Sequence, residues 1–133
     1  MDDWPYVFYA RLKGIDSLRE MLIFDSRPNA AWLYMLGFYV LGFKPMAWHV
    51  SALLMRFATV LTFWLFLKIM WAERKREAIV ISLLFAIFPF FMLQPFAVGS
   101  THHWFGFLAF NISLILMTLA MQDASYKKWG YAA

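Results

Sequence analysis

The residues best suited to chemistry begin with two adjacent carboxylates, Asp2 and Asp3. A carboxylate can deprotonate an attacking hydroxyl, and a pair of carboxylates can also hold a divalent cation such as Mg²⁺ or Mn²⁺. The pair is therefore a candidate catalytic base and a candidate metal site. The alternative interpretation is that an acidic pair near a chain terminus is a solvated polar segment.

Four basic side chains could act together with that acidic pair, and they are Arg27, Arg56, His102 and His103. A guanidinium presents forked donors that match phosphate oxygens. Carboxylates combined with Arg and His suit a substrate that carries a phosphate headgroup and a lipid tail. We therefore predict that these four residues bind phosphate.

Each basic residue also has a structural interpretation. Arg27 precedes Pro28, and this step can set the start of the next helix, because proline is favoured in a first helical turn. Arg56 lies inside an apolar run, where an ionisable group marks either a site or a buried pair. The histidine pair can cap the helix that follows it. Both interpretations remain open for each residue.

The composition is typical of a membrane protein. Hydrophobic residues make up 63% of the chain, aromatic residues 21% and charged residues 15%, whereas soluble domains are roughly 45–50% apolar and about 25% charged. The chain has no cysteine, which excludes disulfides and thiolate metal sites. The net charge of +4 does not indicate nucleic-acid binding, because the basic residues cluster at the ends of apolar runs. We expect the lipid bilayer as a partner and no nucleic acid.

Three apolar runs are long enough to cross a bilayer: residues 50–71, 78–96 and 105–121. The first would extend roughly 33 Å at about 1.5 Å per residue, close to the thickness of the hydrocarbon core. A fourth run, 29–43, is shorter than a typical span. The predicted fold is an all-α polytopic integral membrane protein with three transmembrane helices and amphipathic juxtamembrane helices.

The distribution of basic residues predicts the topology. Lys68, Arg74, Lys75 and Arg76 separate the first two long runs, and Lys127 and Lys128 follow the third. Because cytoplasmic loops carry excess Lys and Arg, both basic segments should be cytoplasmic. This assignment requires that 29–43 lie in the membrane interface rather than cross. We therefore expect one membrane domain over 1–133, with 1–48 as a non-cytoplasmic loop, 49–121 as the three spans and 122–133 as a cytoplasmic tail.

Residues 17–24 are predicted to form a short amphipathic helix. Ser17 and Glu20 have the spacing of a capping box, and Leu18 and Leu22 have the spacing of one apolar face. Aromatic residues suited to a membrane–water boundary surround the two juxtamembrane helices. They are Trp4, Tyr6, Phe8, Tyr9, Trp32, Tyr34 and Trp48.

A series of short motifs resembles the first outer loop of membrane glycosyltransferases of the GT-C superfamily. The series is Asp2-Asp3-Trp4, then Arg27-Pro28, then Trp32-Leu33-Tyr34, then Leu41-Gly42, and then the apolar run that carries Arg56. Enzymes of this superfamily use polyprenyl-phosphate-linked sugars. The resemblance covers roughly residues 1–121.

The resemblance implies specific roles and partners. Asp2 or Asp3 would be the catalytic base, Arg27 would contact the donor phosphate, and 29–43 would be a juxtamembrane helix. Family members have a transmembrane helix before the acidic pair and many spans after the matched stretch. We therefore expect this chain to be a fragment that packs against the remaining transmembrane helices of a longer protein in the plasma or inner membrane.

Three hypotheses follow from the sequence. The first is part of an inverting glycosyltransferase in which a polyprenyl-phosphate-linked sugar is transferred at the outer face of the membrane. The second is a non-catalytic integral-membrane subunit or assembly factor, whose charged groups serve helix pairing. The third is part of a transporter, in which Arg56 and Asn111 would line a path. The third is disfavoured because the spans carry few polar residues and show no repeat.

Overall fold

The structure, a computed structural model, describes residues 3–87 and 96–122, and the regular structure within these two ranges is helical throughout. The helices are α1 (Trp4–Leu12), α2 (Ser17–Phe24), a 3₁₀ turn (Pro28–Ala30), α3 (Ala31–Leu41), α4 (Pro45–Met70), α5 (Lys75–Ile87) and α6 (Thr101–Gln122). The all-α prediction is confirmed for the described residues.

The described residues divide into two compact units. Residues 3–53 and 96–103 form the first unit, and residues 54–87 and 104–122 form the second. The first unit holds the acidic residue Asp3, the Arg27 step and the histidine pair. The second holds Arg56.

The core of the first unit is built from α1, α2, α3, the start of α4 and the segment just before α6. Helix α1 has a proline in its first turn and buries Tyr6 and Ala10, which are four residues apart and share a face. Leu18 and Leu22 of α2 are completely buried. Burial of this shared apolar surface is what fixes the three short helices against one another.

Helix α2 has the predicted bounds and the predicted apolar face. The predicted capping box is wrong. The residue that precedes the helix is Asp16, so Ser17 is already the first helical residue. The Ser17 hydroxyl donates instead to the carbonyl oxygens of Gly14, at 2.6 Å, and Tyr9, at 3.2 Å. The side chain therefore ties α2 back to the end of α1 and does not cap its own helix.

The helix predicted over 29–43 is present as the 3₁₀ turn followed by α3. Ala31, Tyr34 and Phe38 are buried at helical spacing. Gly42 ends the helix with φ of 61°, a conformation that residues with a Cβ rarely adopt. With 11 residues, α3 extends only about 16 Å and is too short to cross a bilayer.

Helices α3 and α4 approach closely at Gly37. A Cβ at this position would collide with the indole ring of Trp48, which is only 3% exposed. The Trp48 Nε1 donates to the carbonyl oxygen of Gly42 at 2.9 Å. Three of the aromatic residues expected at the membrane boundary, Tyr6, Tyr34 and Trp48, are thus buried in protein, whereas Trp4, Phe8 and Trp32 are exposed.

Two helices are long and apolar enough to cross a membrane. Helix α4 has 26 residues and α6 has 22, and each contains a stretch with a mean hydropathy of 1.9. Only 11% of that stretch in α4 and 17% in α6 are buried, so most of this apolar surface faces outward. Apolar helices with outward-facing side chains are what a lipid environment favours. Helix α4 begins five residues before the predicted span, because Pro45 is its first residue.

The third predicted span, 78–96, is described only in part. Helix α5 covers 13 residues of described chain, about 20 Å, and residues 88–95, with Pro89 and Pro95, lie outside the described residues. The described part of the chain therefore contains two helices of span length rather than the predicted three. The predicted tail, 122–133, lies outside it except for Gln122.

In the second unit, buried polar side chains link α4 to α6. The Asn111 amide donates to the carbonyl oxygen of Thr59 at 3.0 Å and to the hydroxyl of Thr62 at 3.3 Å. Asn111 is 5% exposed and Thr59 is fully buried. In membrane proteins, Asn and Thr side chains form such bonds between helices because the hydrocarbon offers them no other partner.

We expect Asn111→Leu to destabilise the protein by about 1 kcal/mol, because the substitution removes both donated bonds between α4 and α6. The measurement is thermal or denaturant unfolding of the purified protein in detergent. The matched control is Thr118→Val, since the Thr118 hydroxyl donates within its own helix, to Leu114 at 2.7 Å. Equal stability losses in the two variants would contradict the assignment of Asn111 as a link between helices.

Candidate functional site

The end of α2 places Arg27. The N–H of Ser26 donates to the carbonyl of Ile23 and the N–H of Arg27 donates to the carbonyl of Leu22, the paired pattern of a Schellman motif. Ser26 takes the left-handed position that this motif requires, with φ of 58°. Pro28 then starts the 3₁₀ turn, which confirms that the Arg27–Pro28 step sets the start of the next helical segment.

Asp3 is held by the segment that leads into α6. Its Oδ1 accepts a hydrogen bond from the backbone N–H of Gly99 at 2.6 Å. The bond joins residues that are far apart in sequence, and it fixes one oxygen of the carboxylate. A carboxylate has two oxygens and about four acceptor positions. Asp3 can therefore still accept a proton or a second hydrogen bond.

Tyr34 of α3 connects the same segment to the histidine pair. Its hydroxyl lies 3.1 Å from the carbonyl oxygen of Gly99 and 2.6 Å from Nδ1 of His102. The ring is completely buried and is stacked on Tyr6, with centroids 4.6 Å apart and an angle of 6° between the planes. Burial raises the pKa of the Tyr34 hydroxyl, so it remains a proton donor at any physiological pH.

Arg27 sets the direction of this hydrogen-bond chain. Its Nη1 lies 3.5 Å from Nε2 of His102, and a guanidinium can only donate. Nε2 must therefore accept, which places the proton of neutral His102 on Nδ1, where it is donated to the Tyr34 oxygen. Tyr34 then donates to Gly99. The chain thus runs from Arg27 through His102 and Tyr34 to the glycine that binds Asp3, and we call it the relay chain.

A cavity of about 520 Å³ opens beside the relay chain. Its polar lining includes Arg27, Asp25 and His103, and its apolar lining includes Tyr6, Tyr9, Met21, Phe24 and Phe96. The Arg27 side chain is 47% exposed and lies 3.6 Å from a carboxylate oxygen of Asp25. The cavity falls within the range of roughly 300–1,000 Å³ that is usual for ligand sites. We call it the larger cavity.

Asp3 lines a different and smaller cavity of about 300 Å³. Gly99, whose N–H binds Asp3, lines the larger cavity. The hydrogen bond between these two residues therefore lies at the boundary of both cavities. Asp3 and two of the predicted phosphate ligands, Arg27 and His103, are therefore in one unit but line separate cavities.

Arg56 lies in the second unit. Its Nη2 donates to the carbonyl oxygen of Ala86, and its guanidinium carbon lies 5.7 Å from the centroid of the Trp104 ring. The first contact joins α4 to α5, and the second joins α4 to α6. Both support the structural interpretation of Arg56. Its predicted role in phosphate binding stays a prediction.

The proposed metal role also stays a prediction. Asp2, one of its two predicted ligands, lies outside the described residues. Within 3–87 and 96–122, no three His, Cys, Asp or Glu side chains are grouped closely enough to share a metal ion.

Sequence reasoning missed several residues of the site. Tyr34 appeared only as a boundary aromatic, although its spacing from Ala31 and Phe38 indicates a buried face. Asp25 stands two residues before Arg27, and its spacing in the sequence does not indicate the ion pair that the two residues form. No sequence pattern indicates Gly99, because its contribution is made by backbone atoms. Comparisons with protein-family models, with characterised proteins and with solved structures found no match to this chain.

Proposed function

We propose that this chain forms the catalytic region of an inverting membrane glycosyltransferase, which transfers a sugar from a polyprenyl-phosphate donor. The observation that carries the proposal is the relay chain, together with the hydrogen bond from Gly99 to Asp3. This network links Asp3 and Arg27, to which the sequence resemblance assigns roles, with His102, which was predicted from residue type and charge distribution.

The larger cavity suits the headgroup of the donor. Arg27 offers a half-exposed guanidinium to it, and the exposed His103 lies on the same lining. A guanidinium can bind two phosphate oxygens at once and can stabilise the charge that develops as phosphate departs. The aromatic and aliphatic walls of the cavity favour the prenyl chain that follows the phosphate.

Asp3 supplies the base in this proposal. As the acceptor oxygen or nitrogen attacks the anomeric carbon, a new bond to that carbon forms and its bond to the phosphate oxygen breaks. The acceptor proton moves to Asp3, and polyprenyl phosphate leaves with the bonding electron pair. The Gly99 N–H keeps one carboxylate oxygen in place, so that the other oxygen can take the proton.

The proposal places the chain in the plasma or inner membrane with three spans and with residues 1–48 on the non-cytoplasmic side. Helices α4 and α6 provide two helices of suitable length. The third span is the predicted 78–96, of which α5 covers the first part. The partners are the bilayer, the lipid-linked sugar and further transmembrane helices of the full-length protein.

A non-catalytic membrane subunit is the second candidate function. It is supported by the second unit, where Arg56 and Asn111 contact neighbouring backbone carbonyls and so serve helix pairing. This candidate requires no phosphate binding at Arg27. The two functions therefore differ in a binding experiment.

Arg27→Gln should weaken binding of polyprenyl phosphate by about tenfold or more, because it removes a charged, forked donor from the larger cavity. Binding is measured with the full-length protein in lipid nanodiscs and a photoreactive polyprenyl phosphate. Arg19→Gln is the matched control, since Arg19 is an exposed arginine of α2 that lines neither cavity. Equal labelling of the Arg27 and Arg19 variants and the wild-type protein would reject the donor site and favour the subunit.

A further inference from the structure

The smaller cavity is a second, mostly apolar space in the first unit. Its walls come from α1, α3 and the start of α4 and include Trp4, Val7, Phe38 and Trp48. Trp48 is only 3% exposed, and its Nε1 is bound to Gly42, so this wall is fixed. At about 300 Å³, the cavity is at the lower end of the usual range of roughly 300–1,000 Å³ for ligand sites.

Two residues of opposite charge line this cavity, Asp3 just before α1 and Arg11 near its end. Asp3, Val7 and Arg11 follow one another at four-residue intervals, so they lie on one face of the helix. Asp3 and Arg11 are therefore about 12 Å apart along the helix axis. The Arg11 guanidinium carbon lies 6.0 Å from the centroid of the Phe43 ring, which also lines the cavity.

The position of Asp3 indicates that the two substrates of the proposed reaction bind in different cavities. Asp3 lines the smaller cavity, whereas Arg27 and His103 line the larger one. A hydroxyl or amine that gives its proton to Asp3 must enter the space that Asp3 faces. In an inverting transfer, the attacking group and the leaving group lie on opposite sides of the anomeric carbon. Two cavities that meet at the bond between Asp3 and Gly99 fit this requirement.

We propose that the smaller cavity binds the acceptor, and that the acceptor is an amphiphile with one anionic group. Its apolar body packs against the aromatic walls, its anionic group pairs with Arg11, and its hydroxyl or amine lies at Asp3. This assignment rests on the proposed function. A cationic amphiphile does not fit, because the Arg11 guanidinium would oppose a positive headgroup at that end.

The test is photolabelling of the full-length protein in lipid nanodiscs with a medium-chain fatty acid that carries a diazirine. The fatty acid supplies the apolar body and the anionic group. Its alcohol analogue has the same chain without the charge. We expect the acid to label the segments around Val7 and Trp48, located by mass spectrometry, and to do so about tenfold more strongly than the alcohol.

Two variants and a control test the assignment to this cavity. Arg11→Gln should lower labelling by the acid to the level of the alcohol, whereas Lys13→Gln should not, because Lys13 lies over the Tyr9 ring and lines neither cavity. Val7→Trp should block labelling by both probes, because it fills the space. Equal labelling by acid and alcohol, or acid labelling that is unchanged in both Arg11→Gln and Val7→Trp, would overturn the proposal.

The outcome separates this proposal from the proposed function. Labelling at the smaller cavity needs neither a sugar donor nor sugar transfer. If labelling fails, the Arg27-dependent binding of polyprenyl phosphate can still be observed. Conversely, a protein that fails to bind polyprenyl phosphate can still show labelling that depends on Arg11. In that case the smaller cavity binds an anionic amphiphile, and its role as acceptor site is rejected together with the transferase.

Discussion

Asp3→Asn is expected to reduce sugar transfer by about 10²–10⁴-fold, the usual contribution of a general base. Asparagine has nearly the same shape as aspartate, and its carbonyl oxygen can still accept the hydrogen bond from Gly99. The variant therefore loses basicity while keeping the contact that positions the side chain. Transfer is measured in membranes that contain the full-length protein and a polyprenyl-phosphate-linked sugar.

The controls for this substitution separate chemistry from folding. Asp16→Asn changes an exposed carboxylate that only accepts a bond from the Tyr39 hydroxyl, at 3.3 Å, and should leave transfer unchanged. Binding of polyprenyl phosphate should persist in Asp3→Asn, because Arg27 is intact. A wild-type rate in Asp3→Asn would remove Asp3 from the mechanism, and a wild-type rate in Asp2→Asn as well would exclude the acidic pair.

Tyr34→Ala is expected to lower the free energy of unfolding by about 3–5 kcal/mol, the range for truncating a buried aromatic side chain. Tyr34 is completely buried, stacks on Tyr6 and belongs to the core of the first unit. Unfolding by heat or denaturant in detergent provides the measurement. A loss much smaller than this would mean that the first unit does not depend on the contacts between α1 and α3.

Tyr34→Phe isolates the hydroxyl from the ring. It keeps the stacking but leaves the carbonyl of Gly99 and Nδ1 of His102 without the Tyr34 partner, at an expected cost of about 1–3 kcal/mol. Tyr39→Phe is the matched control, because that hydroxyl is exposed and its loss should cost less than about 0.5 kcal/mol. Equal costs for the two hydroxyls would argue against the relay chain.

Local patterns in the sequence were sufficient to predict several of the elements. The spacing of Leu18 and Leu22 located α2, and hydropathy located α6 to within four residues at its start and one at its end. Helix α1 was not predicted, because residues 4–12 are almost all apolar or aromatic and their order shows no clear helical period. Its stability comes from burying Tyr6 and Ala10 against other helices, which is a tertiary effect.

The site was predictable in its charged members and not in its connections. Residue type and charge asymmetry selected Asp3, Arg27 and the histidine pair, and the structure brings these residues into one unit. The connection depends on the hydroxyl of Tyr34 and on both backbone groups of Gly99. Backbone donors cannot be recognised from residue type. The division into two cavities cannot be predicted from the sequence either, because it depends on how α1 packs.

The measurement that tests the central claim most directly is release of polyprenyl phosphate from polyprenyl-phosphate-linked sugars by the wild-type full-length protein. The assay uses proteoliposomes with a panel of such donors and an extract of membrane lipids as acceptors, and mass spectrometry detects both products. We predict that at least one donor is consumed, with its sugar recovered on an amphiphilic acceptor. Asp3→Asn should slow this reaction by about 10²–10⁴-fold, and Arg27→Gln should lower it by about tenfold or more. Consumption that is unchanged in both variants, or no consumption of any donor together with no Arg27-dependent binding of polyprenyl phosphate, would contradict the proposed function.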